Sequence, residues 1–211
     1  MLAFAGPPFD AQLLTRMDVT RSAYAQFTFA TGRADQSMTE KMRAYLSAMV
    51  VGWDTSTLRQ AVERNLAPIV SPLIYPEAVA LIAMHQQAGS EVILVSSTGA
   101  DIASPIGQLL GVDRVLATEM VVLEGCYSGG IADYMFGERK GQAIRELAEQ
   151  EGVDLTASYG CSDSVTDLPL LSSVGHPSAV NPDRDLRRAA GGVGTRVAHF
   201  GVPYRGCHAK R

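Results

Sequence analysis

The sequence predicts a doubly wound α/β fold with a parallel sheet, entered through a helical block. Three observations carry this expectation. "EVILVS" is a short, continuous, β-branched apolar run bounded by Gly89 and polar residues, the pattern of a strand buried on both faces. Strand-like and helix-like patterns then alternate from residue 91 to residue 200, as they do when parallel strands are joined by crossover helices. Residues 9 to about 67, by contrast, carry apolar residues at helical spacing with no convincing strand.

In chain order, "FDAQLLTRMDVTRSAYAQFTFA" and "QSMTEKMRAYLSAMVVGW" read as helices separated at "TGRAD". "TSTLRQAVERNL" reads as a further helix with a Thr or Ser start. "PEAVALIAMHQQAG" has Pro in its first turn and Gly at its end. After the strand "EVILVS", "SPIGQLLG" offers Ser104 as N-cap, Pro105 at the first helical position and Gly111 as the stop. "RVLATEM" reads as a strand, and "VVLEGCYSGGIADY" as a small hairpin. "GERKGQAIRELAEQEG" is a helix closed by Gly152. "TASYGCS" is a strand, "TDLPLLSSVG" a short helix, "HPSAVN" a strand, "PDRDLRRAAGG" a helix and "TRVAHF" the last strand.

With 46% hydrophobic and 19% charged residues, the chain has ample material for a core. A net charge of −4 and the lack of a long basic run give nucleic acid nothing to bind, so none is expected as a partner. The longest apolar stretches are short or broken by Pro72, Pro76 and Glu77, and no membrane span is expected. Cys126, Cys161 and Cys207 are odd in number and scattered, which fits a reducing cytoplasm better than a disulfide framework. The four histidines show no metal-ligand spacing.

In open α/β sheets, ligands bind beyond the carboxyl ends of the strands. Strand ends here carry suitable groups. "VILVSSTG" ends in hydroxyls and a Gly turn, so Ser96, Thr98 and the backbone N–H groups around Gly99 could donate to an anion. "SYGCSDSVTDLPLL" ends a strand in two carboxylates, Asp163 and Asp167, which suit a hard cation such as Mg2+. One Asp could cap the following helix, but capping does not need both. Lys140 opens a helix, where its charge opposes the dipole. It could instead neutralise a phosphate. Taken singly, a hydroxyl pair is ordinarily a turn and a lysine ordinarily solvated. Taken together, in this order, they point to phosphate and metal.

This order resembles the haloacid dehalogenase-like phosphohydrolase superfamily, in particular its phosphoserine phosphatase-like subclass with a helical cap. "VILVSSTG" resembles the second motif of that family, with Ser96 in the motif position. "GERKGQA" resembles the third, with Lys140 as the motif lysine, and "GCSDSVTDLPLL" the fourth. The resemblance implies a Rossmann-like core at 76–204 and an inserted helical cap at 9–75, with residues 1–8 as a remnant of the connection between them. It implies Asp163 as the Mg2+ ligand, Asp167 in support of catalysis, and Ser96, Thr98, Gly99 and Lys140 around the phosphate. The implied partner is a small phosphorylated metabolite. The sequence departs from the subclass at Thr166, where Asn often stands before the second Asp.

The family's first motif is an apolar strand followed by DxDx[TV], whose first Asp attacks phosphorus and whose second is the acid and base. Asp10 in "PPFDAQ" and Asp18 in "TRMDVTR" have neither the strand nor the pair, and "ADQSMT" and "GWDTST" lack them too. The expectation is therefore that the chain starts just after this motif, that the central strand is missing, and that two strands lose their shared neighbour. Activity as a phosphatase is then deficient, the alternative being a non-catalytic phosphate- or metal-binding pseudoenzyme. A receiver-type signalling domain also combines Asp, Ser or Thr and Lys at strand ends, but has no helical insert of this size.

Overall fold

The structure is a computed structural model, and it describes residues 47–48, 50–193 and 195–201. The helices expected over 9–30 and most of 36–53 lie outside the described residues. The elements that follow are α1 (Thr55–Val70), α2 (Pro76–Gln87), β1 (Ile93–Gly99), α3 (Ala100–Leu110), β2 (Arg114–Leu123), β3 (Cys126–Asp133), α4 (Glu138–Glu151), β4 (Tyr159–Ser162), α5 (Leu168–Leu171), β5 (His176–Val180), α6 (Arg184–Val193) and β6 (Arg196–Ala198).

The strands form two separate sheets, ordered β1-β2-β3 and β4-β5-β6. In the second sheet β5 runs parallel to both β4 and β6. In the first, β2 and β3 are an antiparallel hairpin with bulges near Met120. The fold is thus mixed α/β with parallel sheet elements, as the alternation predicts. Among the described residues, no strand joins β1 to β4.

Contacts divide the chain into two compact units, each described by itself. One holds the described residues up to Leu73 together with Thr98–Gly111 and Ala117–Asp133; the other holds Ile74–Ser97, Val112–Leu116 and the chain from Tyr134 on. The sequence division set 9–75 against 76–204, so α3 and the hairpin group differently from that expectation.

In the first unit α1 packs on α3. Asp54 caps α1 by accepting from Thr57 N at 2.8 Å, so the cap is the residue before the expected Thr or Ser. The expected cap of α3 is corrected. Ser104 and Pro105 lie inside that helix, which starts at Ala100 directly after β1. Its first turn is anchored by Asp101, which accepts from Arg59 of α1 at 3.1 Å and from the buried Tyr127 hydroxyl of β3. This tertiary network outweighs a local serine cap, typically about 1 kcal/mol. Burial, with the hydrogen bond to Asp101 second, pushes the Tyr127 phenol well above its ordinary range.

In the second unit a core of Leu170, Leu171, Ala179, Leu186 and Ala190 gathers α5, β5 and α6, with Val95, Ile144, Val165 and Leu168 packed against it. Two glycines permit close approaches there. A Cβ on Gly141 would stand 2.7 Å from the Pro169 carbonyl oxygen, so α4 and α5 meet at this point. A Cβ on Gly175 would stand 1.8 Å from the Thr156 carbonyl oxygen.

Candidate active site

The site is built at the carboxyl end of β4. Ser162 is the last residue of that strand, and a short turn over Val165–Asp167 leads into α5. Ser and Thr side chains shape the turn. Ser164 N donates to Ser162 Oγ at 3.2 Å, and Thr166 N to Ser164 Oγ at 3.3 Å. Asp167 closes the turn, with its carboxylate turned inward.

Lys140 comes to Asp167 from the third position of α4. Its Nζ lies 2.8 Å from Asp167 Oδ1 and 3.0 Å from Oδ2. Ser162 Oγ donates to Oδ2 at 2.8 Å. Both side chains are largely buried, 8% exposed for Lys140 and 14% for Asp167. Oδ1 is fully buried and has the ammonium beside it but accepts no well-angled hydrogen bond; the ion pair at 2.8 Å is its main compensation. This pairing explains a cation in the first turn of a helix. The ordinary reading of Lys140, a solvated surface lysine, does not hold, because the residue is 6% exposed. Gly141, the next residue, lacks the Cβ that would stand 2.7 Å from the Pro169 carbonyl oxygen of α5.

Asp163 stands four residues before Asp167, and its backbone carbonyl accepts from Asp183 N at 2.7 Å. Ser96 lies half-buried in β1, Thr98 follows it, and Gly99 is the N-cap position of α3. The structure therefore brings Lys140 and Ser162 onto the Asp167 carboxylate and puts Asp163 directly after Ser162, just before the turn. Thr98 and Gly99 are the last two residues of β1, whereas Ser96 is the middle one of its seven, short of the strand end that the sequence suggests. Two residues escaped the sequence reading. The sequence sets Ser162 beside the two aspartates without a role for it, and Asp183 reads there only as part of a helix start. The signal for the second was available, since Asp after Asn-Pro is a helix-cap pattern.

Asp163 supplies a hard oxygen donor, the type Mg2+ prefers, whereas the Asp167 carboxylate is engaged by Lys140 and Ser162. Among the described residues no group of three or more His, Cys, Asp or Glu side chains could by itself hold a metal ion. Mg2+ commonly takes one or two carboxylates and fills its shell with water and phosphate oxygens, so the donor set fits in kind.

The family model for haloacid dehalogenase-like hydrolases matches residues 7–172. The chain belongs to the haloacid dehalogenase-like hydrolase family. It is 48% identical over 205 residues to the "Inhibition of morphological differentiation protein" of Streptomyces azureus, a match over 97% of this chain and 74% of that one. It is 46% identical over 202 residues to a probable phosphatase of Mycobacterium tuberculosis, covering 96% of this chain and 70% of the relative. A solved structure of a protein of unknown function from Bordetella pertussis Tohama I has a TM-score of 0.74 at 27% identity, covering 92% of this chain and 84% of that one. A phospho-aspartyl intermediate analogue of phosphoserine phosphatase has a TM-score of 0.64 at 16% identity, over 86% and 80% of the two chains, and shares the fold. Family membership makes the chain a hydrolase and places it in the phosphoserine phosphatase-like fold group.

Proposed function

We propose that this family member is a Mg2+-dependent phosphomonoester hydrolase acting on a small phosphorylated metabolite. The observation that carries the reading is the buried Lys140–Asp167 pair beside Asp163 at the end of β4. A buried lysine–carboxylate pair at a strand end is the kind of desolvated charge that gathers at functional sites. The naming of a 46% identical relative as a probable phosphatase supports the same chemistry.

In this reading Asp163 would hold the ion, which would supply a Lewis acid for a phosphoryl oxygen. Lys140, fixed by Asp167, faces the negative charge of the transferring group, and Ser96 donates to one of its oxygens. Asp167 orients Lys140 and is held by Ser162.

The nucleophile is the open place. Nowhere in the 211 residues does DxDx[TV] occur. An aspartyl-phosphate route therefore needs an aspartate outside this sequence, and the 211 residues alone should turn over slowly. The same observation favours the second reading, a non-catalytic phosphate- or metal-binding protein. The test is Mg2+-dependent hydrolysis of para-nitrophenyl phosphate by this chain and by one extended upstream with a strand and DxDx[TV]. The hydrolase reading expects the extension to raise turnover by at least about 10²-fold, and Asp163→Asn to remove the gain. An extended chain that stays silent yet binds phosphate supports the second reading. A cytoplasmic setting completes the proposal, in keeping with the free Cys126 and Cys161.

A further inference from the structure

The turn that follows Asp163 and ends at Asp167 is gripped from outside by one residue of the next crossover. Strand β5 ends at Val180, and Asn181 takes a left-handed φ of 45°, which Asn tolerates better than most residues. Asn181 N donates to Ala198 O at 3.0 Å and its Oδ1 accepts from Phe200 N at 3.1 Å, so the corner is fixed beside β6. The buried Pro182 follows, and Asp183 opens α6.

Asp183 makes two sets of bonds. Its Oδ1 accepts from Leu186 N at 2.7 Å and Asp185 N at 3.1 Å, which caps α6. Its Oδ2 accepts from Val165 N at 2.9 Å, and its own N–H donates to Asp163 O at 2.7 Å. A helix cap needs only one side-chain oxygen, and Ser or Thr would serve it. The second oxygen and the backbone N–H are both directed to the turn, one on each side of Ser164. Both carboxylate oxygens already accept from N–H groups, so Asp183 is suited to hold the turn and not to bind a cation itself.

We propose that Asp183 is a positioning residue that fixes the backbone on both sides of Ser164 and thereby sets where Asp163 presents its carboxylate. The part that concerns Mg2+ rests on the proposed function; the part that concerns the turn does not. The effect expected is that of a partner that orients a ligand without touching the ion, whose loss commonly weakens metal binding about 10–100-fold.

The full chain carrying Asp183→Asn or Asp183→Ser tests this. Both variants retain an oxygen for the cap of α6. Asn sets an amide donor against Val165 N–H, and Ser leaves that N–H without a second oxygen. Amide exchange is first read on the metal-free proteins. Val165 should exchange at least about tenfold faster in both variants, the loss of one hydrogen bond, while Leu186 and Arg187 keep their protection. Unchanged protection at Val165 overturns the proposal, and so does parallel loss at Val165 and along α6, which would mark a purely structural cap. Mg2+ is then titrated against the amide resonances of residues 163–167. Half-saturation should rise about 10–100-fold in both variants, and an unchanged midpoint refutes the positioning of Asp163. If the wild-type chain shows no Mg2+-dependent shift, the magnesium reading fails, and exchange at Val165 alone decides the role of Asp183.

Discussion

The two ends of α4 carry charges of the wrong sign for a helix, and they are compensated in opposite ways. At the amino end Lys140 opposes the dipole; at the carboxyl end Glu151 does the same. Glu151 is 41% exposed and receives a bidentate Arg114 from β2 at 2.6 and 3.1 Å, while Arg114 also reaches Glu91 at 2.9 Å. Lys140 is shut away against Asp167. A reversed charge at a helix end thus signals a tertiary partner at both ends. Burial separates them. An exposed cluster is screened by water and salt, whereas a buried pair recovers its desolvation cost only through close geometry and a complete set of partners.

The largest expected effect comes from breaking the buried end. Lys140→Met leaves Asp167 as an uncompensated buried carboxylate and should cost about 3–5 kcal/mol in urea unfolding. Lys140→Met combined with Asp167→Leu should recover most of that loss, since a buried pair replaced by apolar groups is often neutral, while any phosphate affinity stays lost. A double variant as unstable as the single would show that the cost does not come from the stranded charge.

Next in size is Gly141→Ala. Its Cβ would meet the Pro169 carbonyl at 2.7 Å, and that neighbour is backbone that cannot rotate away. Overpacking of this kind costs about 1–3 kcal/mol, read as a lower urea midpoint. Because Lys140 is the adjacent residue, phosphate affinity should fall with it; a stable variant with normal affinity would detach the contact from the site.

The exposed end should respond least. Arg114→Ala is expected to lower Tm slightly at about 0.15 M salt and not at all at about 1 M, where the Debye length falls to about 3 Å. A large loss that persists in high salt would mean that Arg114 acts through packing.

Acid sharpens the same contrast. Hydrogen bonds from Arg114 hold the Glu151 carboxyl below its ordinary value of 4.5. The folded pKa is the lower one, so this stabilisation is present above the ordinary value and is lost as pH falls through the folded value. Arg114→Ala should therefore show a flatter decline in stability than the wild type between about pH 5 and about pH 3, followed by circular dichroism.

The sequence shows the strands and the strand-end groups because local pattern decides them. A continuous apolar run defines β1, and Gly111 and Gly152 both stop helices in the left-handed conformation expected of them. The start of α3 departs from the local pattern because its anchor, Asp101, is held by residues 42 positions upstream and 26 positions downstream, which no local cap pattern can register. The site was legible as residue types. Its geometry was not, since the meeting of Lys140 with Asp167 depends on a 27-residue separation closed by tertiary packing and on a helix contact through Gly141. Asp183 was overlooked for a related reason. Its cap is local, but its hold on Val165 spans 18 residues.

The Asn181–Pro182 corner has a chemical consequence of its own. An asparagine ages by attack of the next residue's backbone nitrogen on its side-chain amide, which expels ammonia and closes a cyclic imide that water opens to aspartate or isoaspartate. A flexible left-handed Asn before Gly would be open to that damage. Here the following nitrogen belongs to proline and carries no hydrogen, and the side-chain oxygen is already engaged by Phe200 N. The corner that sets Asp183 is thereby protected against the deamidation that would otherwise insert a negative charge, or an extra backbone carbon, beside β6.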